Sequence, residues 1–185
     1  EDICKLSEAI SNMEDVEIRL SPDETAYIVN LTGNEAEKVL EVTKNSALTL
    51  FETTVSCIGA NICQVGLRDS QGLLRNCVEE VRNAGISSTA LPQMHISGCP
   101  SSCGIHQTGV IGFRGASKSV DGKMQSAFIL FVNGEERQGQ ERMGKELGAI
   151  LEADIPKFIV KLGKCVEESG LDFISWKEKN PEGIE

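Results

Sequence analysis

Four of the seven cysteines lie in two close pairs, and they are the residues of this sequence best suited to chemistry. Cys57 and Cys63 stand in the segment CIGANIC, and Cys99 and Cys103 stand in GCPSSC. A cubane iron–sulfur cluster needs one thiolate for each of its irons, and two such segments can supply the set. The spacing therefore predicts a 4Fe-4S cluster and a protein that handles electrons. A structural zinc site and four core cysteines are the alternatives.

The other three cysteines, Cys4, Cys77 and Cys165, fall on the apolar faces of predicted helices. A free cysteine packs like a small apolar side chain, so Cys77 and Cys165 are expected in the core. Cys4 lies too near the N-terminus for its position to be informative. The odd total of seven cysteines also argues against a fully paired disulfide framework.

Composition limits the class of protein. A chain of 185 residues can form one medium domain or two small ones around an adequate core. No stretch approaches the ~20 apolar residues that a membrane span needs, and the first residues lack the basic-then-apolar layout of a secretory signal. We therefore expect no membrane partner and a cytoplasmic location, where clustered cysteines more often bind metal or do redox work than form disulfides.

The net charge of −10 argues against a nucleic-acid partner, which would need a basic face. The charge is uneven, because residues 57–123 hold six basic and four acidic residues, while the flanks are strongly acidic. The cysteine segment is therefore the part of the chain best suited to an anionic ligand. Ordinary solvated surface charges are the alternative explanation.

Hydrophobic periodicity and turn residues predict an N-terminal helix–hairpin–helix unit. The predicted elements are a helix over 3–13, strands at 16–20 and 26–31 with a turn at Ser21–Glu24 between them, and a helix ending near Lys44. Thr32 and Glu35 have the spacing of a capping box that would start this second helix. This inventory resembles a small α+β sandwich lacking one strand, so we expect the chain to begin part-way into a domain.

The remainder of the chain predicts strands before both cysteine pairs and helices beyond them. The predicted strands cover 48–55, 93–97, 110–113 and 127–132, and the predicted helices cover 64–83, 155–166 and 173–179. Both pairs would lie at strand ends, facing helix N-termini whose free N–H groups stabilise negative sulfur. Gly59, Gly98 and Gly104 would allow close backbone approach, and Pro100 suits the first turn of a helix.

Two longer segments, CIGANICQVGLRDSQGLL and HISGCPSSCGIHQTGVIGFRG, resemble the C-terminal half of the nitrite/sulfite reductase family, which binds a 4Fe-4S cluster and sirohaem. The family pattern is C-x5-C, a long gap, G-C-P-x-x-C-G and a segment like IGFRG. FVNGEERQG and the helix at Ile155 are similar to the family's closing elements. VEIRLSPDETAYIVNLTG is similar to the ferredoxin-like half-domain that precedes the cluster domain, so the resemblance covers residues 15–180.

The resemblance implies an α+β fold, with a mixed or antiparallel sheet and flanking helices over 51–185 and a partial ferredoxin-like half-domain over 1–50. It implies that the four paired cysteines hold the 4Fe-4S cluster and that Cys103 also binds the sirohaem iron as its axial ligand. The implied reaction is the six-electron reduction of nitrite to ammonia or of sulfite to sulfide.

Sirohaem carries several carboxylates, which the resemblance implies are bound by cations and backbone N–H groups. Arg68, Arg114 and Lys118 are the candidates, and Arg114 is the best placed because it follows a predicted buried strand. Arg68 alternatively pairs with an acid on the surface. His95 and His106 lie beside the second cysteine pair, and His106 is either a proton donor or a hydrogen-bonded structural histidine.

Complete members of the family have two related halves, and this chain resembles one of them. The missing N-terminal half is therefore an expected partner, with a small oxyanion substrate and an electron donor that is a ferredoxin or a flavin domain reached through NAD(P)H. We expect the isolated chain to be inactive, because the cations that grip the substrate would come largely from that half. A stand-alone 4Fe-4S electron-transfer or sensing module without sirohaem and a structural zinc domain stay open as alternatives.

Overall fold

The computed structural model describes residues 2–21, 25–44 and 46–184. The chain divides into two compact units, Glu1–Leu48 and Thr49–Glu185, and the second carries both cysteine pairs. The assignment of these units to a partial ferredoxin-like half-domain and a cluster domain stays a prediction. Among the described residues, no helix combines the length and the apolar content that crossing a membrane requires.

The described residues of the first unit form two helices and one hairpin. Its elements are α1 (Asp2–Ile10), β1 (Glu17–Leu20), β2 (Ala26–Val29) and α2 (Gly33–Thr43). The two strands pair antiparallel, with Glu17 opposite Val29. The predicted capping box is confirmed, because the Glu35 carboxylate accepts the Thr32 N–H at 2.8 Å. In the predicted turn, residues 22–24 lie outside the described part of the chain.

The second unit is built on one five-stranded sheet with helices packed against it. Its elements are β3 (Val55–Ser56), α3 (Ser70–Asn83), β4 (His95–Ser97), β5 (Ile111–Val120), β6 (Lys123–Val132), β7 (Lys145–Leu151), α4 (Ile155–Glu168) and α5 (Phe173–Lys179). The strand order is β3-β4-β5-β6-β7, parallel from β3 to β5 and antiparallel from β5 to β7. The predicted fold class, a mixed sheet with flanking helices, is confirmed.

The hydrophobic core of this unit lies between the sheet and the helices α3 and α4. Phe113 on β5 and Phe128 on β6 are fully buried, as are Leu73 on α3 and Ile159 on α4. Removing a large apolar side chain from water stabilises the fold by roughly 1.5–3 kcal/mol. The core therefore holds the strands that precede and follow the cysteine segments.

Two predictions differ from the structure: the strand before α3 and the residue at which α3 begins. The predicted strand 48–55 is a 3-10 turn at Phe51–Thr53 followed by the two-residue β3, and both Phe51 and Val55 are buried. The helix predicted from residue 64 begins at Ser70. The Asp69 carboxylate accepts the Gly72 N–H at 2.9 Å and so caps this helix at its true start.

The predicted strands 110–113 and 127–132 are the buried parts of two longer strands. β5 and β6 continue outward as an exposed ribbon, residues 117–126, in which Ser117 pairs with Ser126 and the turn lies at Asp121–Gly122. We call these residues the outer ribbon. They show little alternation of apolar and polar side chains, which is the signal that identifies a half-buried strand. The sequence does not predict β7, whose residues are half-buried or exposed.

Candidate functional site

The two cysteine loops, residues 57–69 and 98–110, begin side by side because β3 and β4 are parallel neighbours. The Cys57 N–H donates to the Ile96 carbonyl at 3.0 Å, which continues the ladder beyond β3. The Gly98 N–H donates to the Cys57 Sγ at 3.1 Å. Both cysteine pairs thus start at strand ends, as the sequence predicts, and a backbone donor from the second loop reaches a sulfur of the first.

The first cysteine loop curls back onto the second. The N–H groups of Leu67 and Arg68 both donate to the Gly98 carbonyl, at 3.1 and 3.0 Å. A Cβ on Gly98 would lie 2.5 Å from the Arg68 carbonyl oxygen, so this approach requires glycine. Ser70, the first residue of α3, places its Oγ 3.2 Å from the Cys57 Sγ. The Cys57 sulfur therefore lies at a helix N-terminus, which favours negative charge.

The second cysteine loop has no helix. Residues 98–101 form bends and turns, so the prediction that Pro100 opens a helical turn is wrong. The loop reverses through left-handed backbone at Ser102 and Ile105, whose φ angles are 60° and 48°. This curl leaves the Cys103 side chain exposed, whereas Cys99 is only 8% exposed.

The four paired cysteines fit an iron–sulfur cluster by their chemistry. All four are free thiols, Cys57 and Cys63 are half-buried, and the Gly98 N–H already donates to one sulfur. Over the described residues, however, no three or more His, Cys, Asp or Glu side chains lie close enough together to hold a metal ion. The structure therefore brings the loops together without assembling a compact metal centre. The ligand set stays a prediction.

The remaining cysteines separate into core and surface. Cys77 is fully buried on α3, as predicted, and burial raises the pKa of its thiol to about 12. Cys165 is exposed, so its predicted place in the core is wrong, and Cys4 is also exposed. Cys165 stands on α4 next to the buried Val166, one position away from the face that packs on the sheet.

The predicted cations have partners within the protein. Arg68 donates to the carbonyls of Ala116, at 2.6 Å, and of Leu67, at 2.7 Å, and to the Ser117 hydroxyl. Its hydrogen-bond partners are therefore not acids, and its guanidinium links the first cysteine loop to β5. The Lys118 Nζ donates to the Ala149 carbonyl at 2.9 Å on the exposed side of the sheet.

Of the three predicted cations, Arg114 has the surroundings that best suit binding of an anionic ligand. Its guanidinium lies 5.3 Å above the centroid of the Phe131 ring and pairs loosely with Glu146, at 3.4 Å. The Arg114 side chain is 27% exposed, so its charge remains accessible beside the second cysteine loop. Its role toward a sirohaem carboxylate stays a prediction.

His106 matches the structural alternative rather than the proton donor. The ring is buried 4.9 Å from the Phe131 ring, and its Nδ1 lies 3.3 Å from the Ser102 Oγ. Desolvation, with the nearby charges of Arg114 and His95, lowers the pKa of His106 to about 4. The imidazole is therefore neutral near pH 7 and holds no proton that it would readily give up.

Comparison with known proteins identifies relatives of this chain, although no family model matches it. It is 26% identical to the ferredoxin–nitrite reductase of Leptolyngbya laminosa over 160 residues, which cover 84% of this chain and 30% of that protein. It is 24% identical to the sulfite reductase (NADPH) hemoprotein beta-component of Bacillus licheniformis over 162 residues, 77% of this chain and 27% of that protein. Over most of its length, this chain is therefore similar to nitrite and sulfite reductases.

The fold of this chain also occurs in a solved structure. The NirA protein of Mycobacterium tuberculosis superposes with a TM-score of 0.76 over 96% of this chain and 35% of that one, at 16% identity. That likeness concerns the fold alone. The chain spans about a third of the length of the curated relatives and of the solved protein.

Sequence reasoning missed an apolar surface on the two cysteine loops. Five large apolar side chains there are exposed; they are Ile58, Ile62, Val65, Leu67 and Ile105. We call them the apolar rim. Their signal in the sequence is a set of large apolar residues in loops otherwise rich in glycine, serine and glutamine. Two polar residues, Ser97 and Glu136, were also missed.

Proposed function

We propose that this chain is the cluster-bearing half of a sirohaem-dependent reductase that reduces nitrite to ammonia or sulfite to sulfide with six electrons. The hydrogen bond from the Gly98 N–H to the Cys57 Sγ is the observation that carries the proposal. It joins the two loops through a sulfur atom, and backbone N–H donors to sulfur are a means of stabilising cluster ligands. Similarity to relatives named as nitrite and sulfite reductases supports the class of reaction.

Cys57, Cys63, Cys99 and Cys103 would hold the 4Fe-4S cluster, and Cys103 would also be the axial ligand of the sirohaem iron. The bound groups would supply single electrons to a substrate on the haem. The chain's own contribution would be to hold the thiols and stabilise their negative charge. Cys103 is the most exposed of the four, which suits a ligand shared with a second cofactor.

The apolar rim supports a large, flat partner at the cysteine loops. Exposed apolar groups gain stability when a ligand or protein removes them from water. A tetrapyrrole presents an apolar face and anionic edges, so the rim would meet the face and Arg114 would bind a carboxylate. The missing N-terminal half of the enzyme would cover the other side of the macrocycle.

Two partners follow for the complete enzyme. Its electron donor would be a ferredoxin or a flavin domain reached through NAD(P)H, because relatives of both kinds, one named for ferredoxin and one for NADPH, match this chain. Its substrate would be a small oxyanion, and the location would be cytoplasmic. The isolated chain would bind the cluster without turning over substrate.

Metal analysis of the chain tests the cluster. After anaerobic purification and reconstitution, we expect about four irons and about four acid-labile sulfides per chain. Cys99→Ser should lose most of that iron, whereas Cys165→Ser changes an exposed cysteine outside the loops and should keep it. A wild-type chain without iron after reconstitution would count against the proposal. Stoichiometric zinc in its place would favour the structural zinc alternative.

Addition of the N-terminal half and sirohaem tests the second cofactor. Electronic coupling between cluster and haem should then appear in the EPR spectrum, and Cys103→Ser should abolish it. A cluster that forms normally while no sirohaem binds would contradict the reductase proposal. That result would favour the stand-alone electron-transfer module.

A further inference from the structure

Gly104, the residue after Cys103, is hydrogen-bonded by two buried side chains of β4. The Gly104 N–H donates to the Ser97 Oγ at 3.1 Å, and the Gly104 carbonyl lies 3.1 Å from the His95 Nδ1. Ser97 is 1% exposed and His95 is 3% exposed. Residues two apart on a strand point to the same face, so β4 presents both side chains to the backbone of one residue, Gly104.

Two hydrogen-bond acceptors flank the His95 ring. A carbonyl oxygen only accepts hydrogen bonds, so the Nδ1 facing Gly104 must carry a proton. The Nε2 faces the Glu136 carboxylate at 3.2 Å, which is also an acceptor. A neutral imidazole has one N–H and can serve only one of these partners. The ring therefore lies between two acceptors, with Nδ1 towards Gly104 and Nε2 towards Glu136.

Glu136 also connects this arrangement to the loop that follows β6. In that loop the Gly134 N–H donates to the Gly109 carbonyl at 3.1 Å, and the Gly144 N–H donates to the Gln107 carbonyl at 2.6 Å. The second cysteine loop therefore lies between β4 and the segment 133–144. The His95 ring contacts the second cysteine loop through its Nδ1 and the segment 133–144 through its Nε2.

We propose that His95 and Ser97 are positioning residues that set the place of the Cys103 thiol. The inference rests on the proposed function, in which Cys103 is the ligand shared by both cofactors. The Cys103 side chain is exposed, so its backbone must supply the anchor, and the next residue, Gly104, is bonded at both its N–H and its carbonyl. Because β4 leads directly to Cys99, the same strand fixes the separation of Cys99 and Cys103.

Amide hydrogen exchange at Gly104, measured by NMR on the full metal-free chain, tests the positioning without any cofactor. Ser97→Ala removes the acceptor of this N–H and should speed its exchange by about tenfold, the upper range for one hydrogen bond. Ser97→Thr keeps the hydroxyl and should exchange like wild type. Ser119→Ala, in the exposed outer ribbon, is the control for loss of a serine hydroxyl and should leave Gly104 unchanged.

A second pair of variants separates the two bonds of His95. The amide nitrogen of His95→Asn can occupy the place of Nδ1 and still donate to Gly104, whereas that of His95→Gln reaches the place of Nε2 and Glu136. Faster exchange at Gly104 is therefore expected in His95→Gln and not in His95→Asn. Equal exchange rates at Gly104 within both the serine pair and the histidine pair would overturn the proposal. If a variant of one pair fails to fold, the other pair alone tests the proposal.

Cluster loading supplies the second readout. After anaerobic reconstitution, Ser97→Ala and His95→Gln should hold less than half of the wild-type iron and show a changed EPR line shape, while Ser97→Thr and His95→Asn should match wild type. Normal spectra in all four variants would overturn the role toward Cys103. A wild-type chain that takes up no iron would instead contradict the proposed function, and the exchange rates would still decide the anchoring of Gly104.

Discussion

The inner and outer parts of the β5–β6 hairpin have the same pairing and different surroundings. Register runs without interruption from Ile111 opposite Val132 to Val120 opposite Lys123. The inner part is covered by helices and by the cysteine loops, whereas the outer ribbon is exposed except at Val120. Hydrogen bonding therefore forms the hairpin along its whole length, whereas the layers packed on its inner part determine where the cysteine loops lie.

Among substitutions in the hairpin, the largest loss of stability is expected at Phe113, which is fully buried on the inner part. Phe113→Ala should lower the free energy of unfolding by about 3–5 kcal/mol, through lost burial and the cavity left behind. Met124→Ala in the outer ribbon should change it by less than about 0.5 kcal/mol. Urea denaturation followed by the fluorescence of the single tryptophan, Trp176, measures both. Equal losses would contradict the comparison.

A smaller effect is expected at Gly115, where β5 meets the second cysteine loop. A Cβ there would run into the Gly98 carbonyl oxygen, which also accepts the N–H groups of Leu67 and Arg68. Gly115→Ala should therefore cost about 1–3 kcal/mol of unfolding free energy and reduce iron uptake after reconstitution. Ser119→Ala on the same strand should do neither. Full iron uptake by Gly115→Ala would mean that the loops tolerate a shift of β5.

Below neutral pH, the protein should lose stability through His106, which packs against Phe131 of the inner part. Its pKa is about 4 in the folded protein and 6.5 ordinarily, so the unfolded chain binds more protons between these values. Stability should therefore fall as pH drops from 6.5 towards 4, and remain unaffected by this group above pH 6.5. Urea midpoints of wild type and His106→Gln across this range measure the difference. A parallel pH dependence in the two proteins would contradict it.

The sequence predicts local features of the fold well. The helix at Phe173–Lys179 has the predicted bounds, and the Thr32–Glu35 capping box forms, because both depend on residues within one or two helical turns. The glycines and strand ends around the cysteines were identified for the same reason. The cysteine types and spacing carry the chemistry directly, whatever the fold around them.

Contacts between distant parts of the chain could not be predicted in this way. Arg68 bonds to Ala116, 48 residues away, and Glu136 reaches His95 across 41 residues. No periodicity or motif encodes such partners, because the sheet order brings them together. The outer ribbon was missed for a related reason, since strands exposed on both faces lack the alternation that burial imposes.

The smallest expected effect is at Lys118, which the sequence placed among the sirohaem-binding cations and the structure places in the outer ribbon. Its bond to the Ala149 carbonyl is exposed to water, so Lys118→Ala should change the unfolding free energy by less than about 0.5 kcal/mol. Iron uptake by the chain should be unchanged. Arg114→Ala removes a cation from the inner part, beside Phe131, and should weaken sirohaem retention in the reassembled enzyme more than Lys118→Ala does. Reduced iron uptake by Lys118→Ala would show that the outer ribbon contributes to the cysteine site.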